Sequence, residues 1–152
     1  MEKRCCFLIG HRETADALYP ALYDAVVRHV VVYDVGEFVV GQYGGFDRLA
    51  ARVLRDVKGH FPDVRLTLLL AYHPAERGAA LPDGFDGTFY PPGLETAPRR
   101  VAIVRANAYM AAHADCVIAG VWHPASNAAR AVDCARRYRV PVTIVQEPRL
   151  LP

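Results

Sequence analysis

Apolar residues along the chain keep two alternating rhythms. Short apolar-rich runs at Cys5 to Ile9, Glu37 to Val40, Arg65 to Ala71, Asp115 to Val121 and Pro141 to Val145 predict five strands. The first is continuous, as befits a strand buried on both faces. Between the runs the period changes to that of a helix. Leu18, Leu22, Val26 and Val30 recur every four residues, and Leu49, Ala50, Val53, Leu54 and Val57 form a second stripe ending near Gly59. A third helix is predicted over Arg99 to His113, despite the strand propensity of Val101, Ile103 and Val104. A fourth runs from Ser126 or Asn127 through Tyr138. This alternation predicts an α/β fold: a Rossmann-like, doubly wound, mainly parallel five-stranded sheet with helices on both faces. Right-handed crossovers then require strand order to reverse, which opens a crevice above the carboxyl ends of the strands.

Punctuation refines these bounds. Thr14 or Asp16 is placed to cap the first helix, Asp47 the second, and Ser126 or Asn127 the last. Between the third strand and third helix lies a loop of about two dozen residues holding Pro74, Pro82, Pro91, Pro92 and Pro98. A loop that long in a compact domain usually has a task, such as covering a site.

Composition narrows the class. A chain of 152 residues has the size of one domain and, at 53% hydrophobic and 22% charged, the composition of a folded one. With 18 basic against 16 acidic residues the net charge is +2, and no basic run makes a stripe for tracking phosphates, which argues against nucleic acid. Arg99-Arg100 and Arg136-Arg137 read as solvated helix ends. The first apolar run is too short for a signal peptide or a membrane span, so a cytoplasmic location is expected. Cys5, Cys6, Cys116 and Cys134 show no Cys-x-x-Cys spacing and read as small core residues; no metal or cofactor is implied.

Three turns at strand ends carry the candidate chemistry. Gly41 to Asp47 joins a strand to a helix, and glycines there let backbone N–H groups approach an anion at the helix's positive end. Tyr43, Gly44, Gly45, Phe46 and Asp47 are therefore candidate ligand contacts, although two adjacent glycines also suffice for a tight turn. Asp47 would repel a phosphate beside it and accept bonds from ribose hydroxyls. Gly10-His11-Arg12 ends the first strand, where Arg12 suits bidentate pairing with phosphate or carboxylate; a solvated surface Arg is the equal alternative. His11 is an acid–base candidate without a second group to orient it. The stiff segment Tyr90-Pro91-Pro92-Gly93-Leu94-Glu95 offers Tyr90 for base stacking and Glu95 for hydroxyls. On the next helix Arg105 and Asn107 are candidates, with Arg100 and Asn107 on one face. Ser126 and Asn127 complete the set.

In order, these motifs resemble the SLOG superfamily, and within it the small stand-alone proteins of Firmicutes and their phages. There a strand ends in Gly-His-Arg, as at Gly10 to Arg12, and a second runs into a glycine and Phe-Asp turn, as at Val40 to Asp47. A Tyr-Pro-x-Gly-Leu-Glu segment corresponds to Tyr90 to Glu95. An Ala-Ile-x-x-Arg-Asn-x-x-Met helix corresponds to Ala102 to Met110, with Ala106 before Asn107, and an Ala-Asp-x-Val-Ile strand to Ala114 to Ile118. The resemblance implies a nucleotide or nucleotide-derived ligand at the turns after the first, second and fourth strands. Two departures qualify it. Pro124-Ala125-Ser126-Asn127 stands where relatives carry Gly-Gly, and the Pro-Gly-Gly-x-Gly-Thr-x-x-Glu signature of the phosphoribohydrolases is absent.

The first expectation is a module that binds or senses a nucleotide, of the ADP-ribose kind, with Arg12, Gly44, Gly45, Asp47 and Ser126 nearest it. The alternative is a hydrolase or transferase of an N-glycosidic bond, with Asp47 or Glu95 as carboxylate and Arg105 as phosphate anchor. A DNA-processing accessory ranks last. Apolar helix faces are compatible with a homodimer and do not fix one.

Overall fold

Strand β1 (Arg4–Gly10) lies at the centre of a parallel sheet because its side chains are apolar in both directions. The computed structural model describes residues 3–76 and 80–147. From β1 the chain winds outward through α1 (Tyr19–Val31), β2 (Val35–Val40), α2 (Gly45–His60), β3 (Arg65–Leu69) and β4 (Gly87–Phe89). It then crosses back by α3 (Ala102–His113) to β5 (Cys116–Gly120), α4 (Asn127–Arg137) and β6 (Val142–Ile144). The order is β4-β3-β2-β1-β5-β6, and every neighbouring pair is parallel. The α/β Rossmann-like architecture is thus as expected, with six strands in place of five.

The period-2 alternation of β1 sorts its side chains between two unlike cores. Cys6 and Leu8 face α1 and α2, meeting Leu22, Val26, Phe46, Leu49, Val53 and Leu54. Phe7 and Ile9 face α3 and α4, whose buried residues are mainly alanines: Ala102, Ala106, Ala111, Ala128, Ala131 and Ala135. Small side chains bring those two helices close to the sheet.

The extra strand sits inside the long proline-containing loop. Three residues are too few to show alternation, and β4 is held from outside itself. Asp86, just before it, accepts the Leu66 N–H at 2.8 Å and the Lys58 ammonium at 2.7 Å, and its carboxyl is held below the ordinary value by those bonds. Leu70 N–H then donates to the Phe89 carbonyl at 2.8 Å.

Several bounds also differ. No side chain caps α1: Thr14 donates its hydroxyl to the His11 carbonyl at 2.9 Å, Asp16 opens a 3-10 turn (Asp16–Leu18), and Pro20 lies in the helix's first turn. The third helix begins as a 3-10 turn (Arg99–Val101) before α3 proper. Gly59 lies within α2 and does not end it. The last strand is shorter than Pro141 to Val145. All four cysteines are free; Cys6 and Cys116 are buried, Cys5 and Cys134 half-buried. Among the described residues no helix is long and apolar enough to cross a membrane.

Candidate functional site

The order of the strands puts the reversal between β1 and β5, and the two end side by side in glycines, Gly10 paired with Gly120. Phe46, 1% exposed, lies on that pair. A Cβ on Gly10 would come within 2.2 Å of the Phe46 ring, and one on Gly120 within 2.9 Å. These glycines are therefore a seat for an aromatic wedge from α2. Seating Phe46 draws the helix start against the turn after β1. Gly45 N–H donates to the Arg12 carbonyl at 2.7 Å, and Phe46 N–H to the His11 carbonyl at 3.2 Å.

That contact explains Gly44 and Gly45. A Cβ on Gly45 would stand 2.5 Å from the Arg12 carbonyl oxygen, and one on Gly44 2.9 Å from Arg12 Cα. Backbone lies against backbone here, which is a structural demand for glycine. Of the four N–H groups that open α2, two are engaged by the neighbouring turn. Those of Gly44 and Asp47 have no acceptor among the described residues.

Asp47 does not cap its helix. Gly44 is the cap residue, and from the third helical position Asp47 Oδ2 reaches back to accept the Tyr43 N–H at 2.9 Å. Burial raises its carboxyl from the ordinary 3.8 to about 6, against the opposing pull of the Tyr43 amide and Arg48. Tyr43 in turn accepts the Ala71 N–H on its hydroxyl at 2.9 Å, which ties this turn to the end of β3.

His11 links the turns after β1 and β5. Its Nε2 accepts the Trp122 N–H at 3.0 Å, and the indole meets the imidazole edge-on at 3.9 Å. Burial, helped by His123, lowers its pKa from 6.5. A neutral ring that accepts at Nε2 carries its proton on Nδ1. The sequence offered no partner to orient His11, and the one found is a main-chain amide 111 residues away. Arg12 is exposed, and its guanidinium makes no hydrogen bond or ion pair with the described residues.

The opposite wall is α4. Ser126 caps it as expected: its Oγ accepts the Ala129 N–H at 3.0 Å and donates to the His123 carbonyl at 3.0 Å. The Ser126 carbonyl takes the Arg130 N–H, so the amides of Asn127 and Ala128 are without acceptors among the described residues. Ile103 and Asn107, one helical turn apart on α3, close the third side.

These parts surround a cavity of about 240 Å³. Of the residues singled out from the sequence, Gly10, His11, Arg12, Tyr43, Gly44, Asp47, Asn107, Ser126 and Asn127 line it. Gly45 and Phe46 stand behind it and shape it. Arg105 is exposed on α3 and does not line it. Tyr90 and Glu95 line a separate cavity of about 270 Å³ with Tyr72, His73, Glu76 and Arg99, so Asp47 and Glu95 do not share a site. Gly41 lines it as part of the glycine turn, whereas Leu8, Ile9, Ile103 and Ala128 were not anticipated, although Ile103 precedes Asn107 by four residues and that spacing points it the same way. A larger hollow of about 820 Å³, by Leu18, Trp122 and Val145, is bordered by Glu13 and Glu147 and has no cation among its described lining.

This cavity thus combines the positive ends of two helices with, among the described residues, free amides on both, an unpaired Arg12 guanidinium, a neutral imidazole and a carboxylate poised near pH 6. That set can hold an anion on one side and a hydroxyl-bearing group on the other. Compared with protein-family models and with curated proteins, the chain matches none.

Proposed function

We propose that the chain binds a small nucleotide or nucleotide-derived ligand, of the ADP-ribose kind, above the carboxyl ends of β1 and β5. Its phosphate lies at the start of α4, beside Arg12, and a ribose hydroxyl faces Asp47. The observation that carries this reading is the shared border: the free Asn127 and Ala128 amides, Arg12 and Asp47 all line one cavity of about 240 Å³. That is below the roughly 300–1,000 Å³ of drug-sized pockets, so on this reading the cavity takes the sugar phosphate alone and the base is left toward solvent. The SLOG resemblance supports the same ligand class.

The test follows thermal shift and liberated base together, across nucleoside monophosphates, NAD, ADP-ribose, cyclic ADP-ribose isomers and inorganic phosphate. A shift without turnover is expected. Arg12→Ala should weaken the ligand that gives it by about 10- to 100-fold, the value of a charge-assisted bond to phosphate. No shift with any member overturns the reading.

One observation favours a second reading, an N-glycosidic hydrolase or transferase: Asp47 lines the cavity with its pKa raised to about 6, suited to acid–base work near neutrality. Base release lost in Asp47→Asn would establish it. A homodimer is likewise a proposal. Val31 and Val32, 64% and 61% exposed at the end of α1, are the apolar face it would cover. Sedimentation velocity showing monomer at every concentration rejects it.

A further inference from the structure

Beneath the same sheet, on the face away from the cavity's α3 and α4 walls, three soft or borderline ligands converge. Cys6 on β1 and Cys116 on β5 are register partners on adjacent parallel strands and point to the α1 side. His29 of α1 lies over them, and all three are buried. The two Sγ atoms and the imidazole nitrogen lie within 4.8 Å of one another. A tetrahedron with Zn–S near 2.3 Å and Zn–N near 2.0 Å has edges of roughly 3.4–3.8 Å, so rotamer-scale contraction closes the set around an ion.

His29 is already oriented as a ligand. Its Nδ1 lies 2.7 Å from the Ala25 carbonyl, and because a carbonyl only accepts, Nδ1 carries the proton. Nε2 is left with its lone pair, which is the arrangement that a backbone carbonyl imposes on metal-bound histidines. Thr143 of β6 donates its hydroxyl to that Nε2 at 3.5 Å, a long bond that an ion would replace, and its oxygen stands close to one tetrahedral edge away. We infer that Cys6, Cys116 and His29 form a buried structural site for a divalent d10 cation, zinc, with Thr143 or a water completing the coordination. Charge selects the divalent ion: two thiolates and Zn2+ leave the site neutral, whereas Cu+ would leave a net negative charge in an apolar core. Each thiol gives up one proton on binding, and no oxidation is involved. Cys5 faces the other core and Cys134 lies on α4, so neither takes part.

The test unfolds the full chain in guanidinium with reductant and refolds it with cobalt as a visible probe. One equivalent is expected, with thiolate-to-cobalt charge transfer and the intense d–d bands of a tetrahedral site, bleached by zinc. Cys116→Ala and His29→Ala should lose the spectrum, and Cys134→Ala should keep it. A measurement without variants stands beside this. In the wild type, zinc should protect Cys6 and Cys116, but not Cys134, from iodoacetamide at partly denaturing urea, read by peptide mass. A natively folded wild type with no cobalt spectrum, equal labelling with and without zinc, or a Cys6–Cys116 disulfide as the stable state overturns the inference.

Discussion

Gly45 and Gly59 lie in the same helix and answer to different forces. A Cβ on Gly45 would collide with the Arg12 carbonyl oxygen at 2.5 Å, while Gly59 is exposed with nothing within 4 Å. Gly45→Ala should therefore destabilise by about 1–3 kcal/mol, as overpacking does, and Gly59→Ala should stabilise by about 0.5–1 kcal/mol by stiffening the unfolded chain. Urea denaturation of the two variants checks the pair; equal effects would remove the backbone contact from the account. Asp47 gives a prediction in pH. Its folded-state pKa is raised, so the folded chain holds that proton more tightly than the unfolded one does. The associated stability is complete below about 4 and is lost as pH rises through about 6, an effect on the order of 3 kcal/mol. His11 and His29, both lowered by burial, contribute the opposite slope. The diagnostic is accordingly the stability of wild type minus that of Asp47→Asn, which should fall between pH 4 and 6, because the neutral amide carries no cost of burying a charge. Parallel stability curves across that window would reject a desolvated carboxylate at Asp47.

At the scale of elements, a helix start is where sequence chemistry is most local and where it can mislead. Ser126 caps α4 through a bond spanning three residues, and it was legible for that reason. Ser126→Ala should cost about 1 kcal/mol and, on the proposed function, weaken phosphate binding by loosening the amides behind it. Chemical denaturation and ligand titration read the two effects separately; unchanged stability would show the cap to be idle. Asp47 and Thr14 were legible as helix-start residues, but each bonds backward along the chain, Asp47 to the Tyr43 amide and Thr14 to the His11 carbonyl, so neither caps its helix. What packs those two turns together is Phe46 meeting Gly10 and Gly120, a contact between distant parts of the chain that local pattern does not show. The strands follow the same rule. The longer ones announce themselves by apolar runs, whereas β4, three residues long, is fixed by Asp86, Lys58 and Leu66 and leaves almost no local trace.

Across the whole molecule, the alternation of periods was enough to give a parallel sheet with a crevice at the reversal, and nine of the fourteen candidate residues line that crevice. The five that do not are Gly45 and Phe46, which lie beneath it, and Arg105, Tyr90 and Glu95, whose directions depend on how a long loop and a 3-10 turn are laid on the sheet. Trp122, the chain's one tryptophan, sits at the junction of β1 and β5 and gives a fluorescence probe of that junction. Its urea transition should coincide with that of far-ultraviolet circular dichroism, because both cores share the central strands. Transitions with different midpoints would mean that the two faces unfold separately.

The engaged amides of Gly45 and Phe46 have a kinetic consequence. Bonds from α2 to the turn after β1, and from His11 to the turn after β5, brace the rim of the cavity without any guest. Such a receptor has little ordering entropy to lose on association, so capture should be fast and its off-rate should set the affinity. Hydrogen exchange at Gly45 and Phe46 should then be as slow as that of the central strands before any ligand is added, and should barely change afterwards. Amides that exchange quickly and become protected only with a nucleotide bound would describe a rim that folds around its guest.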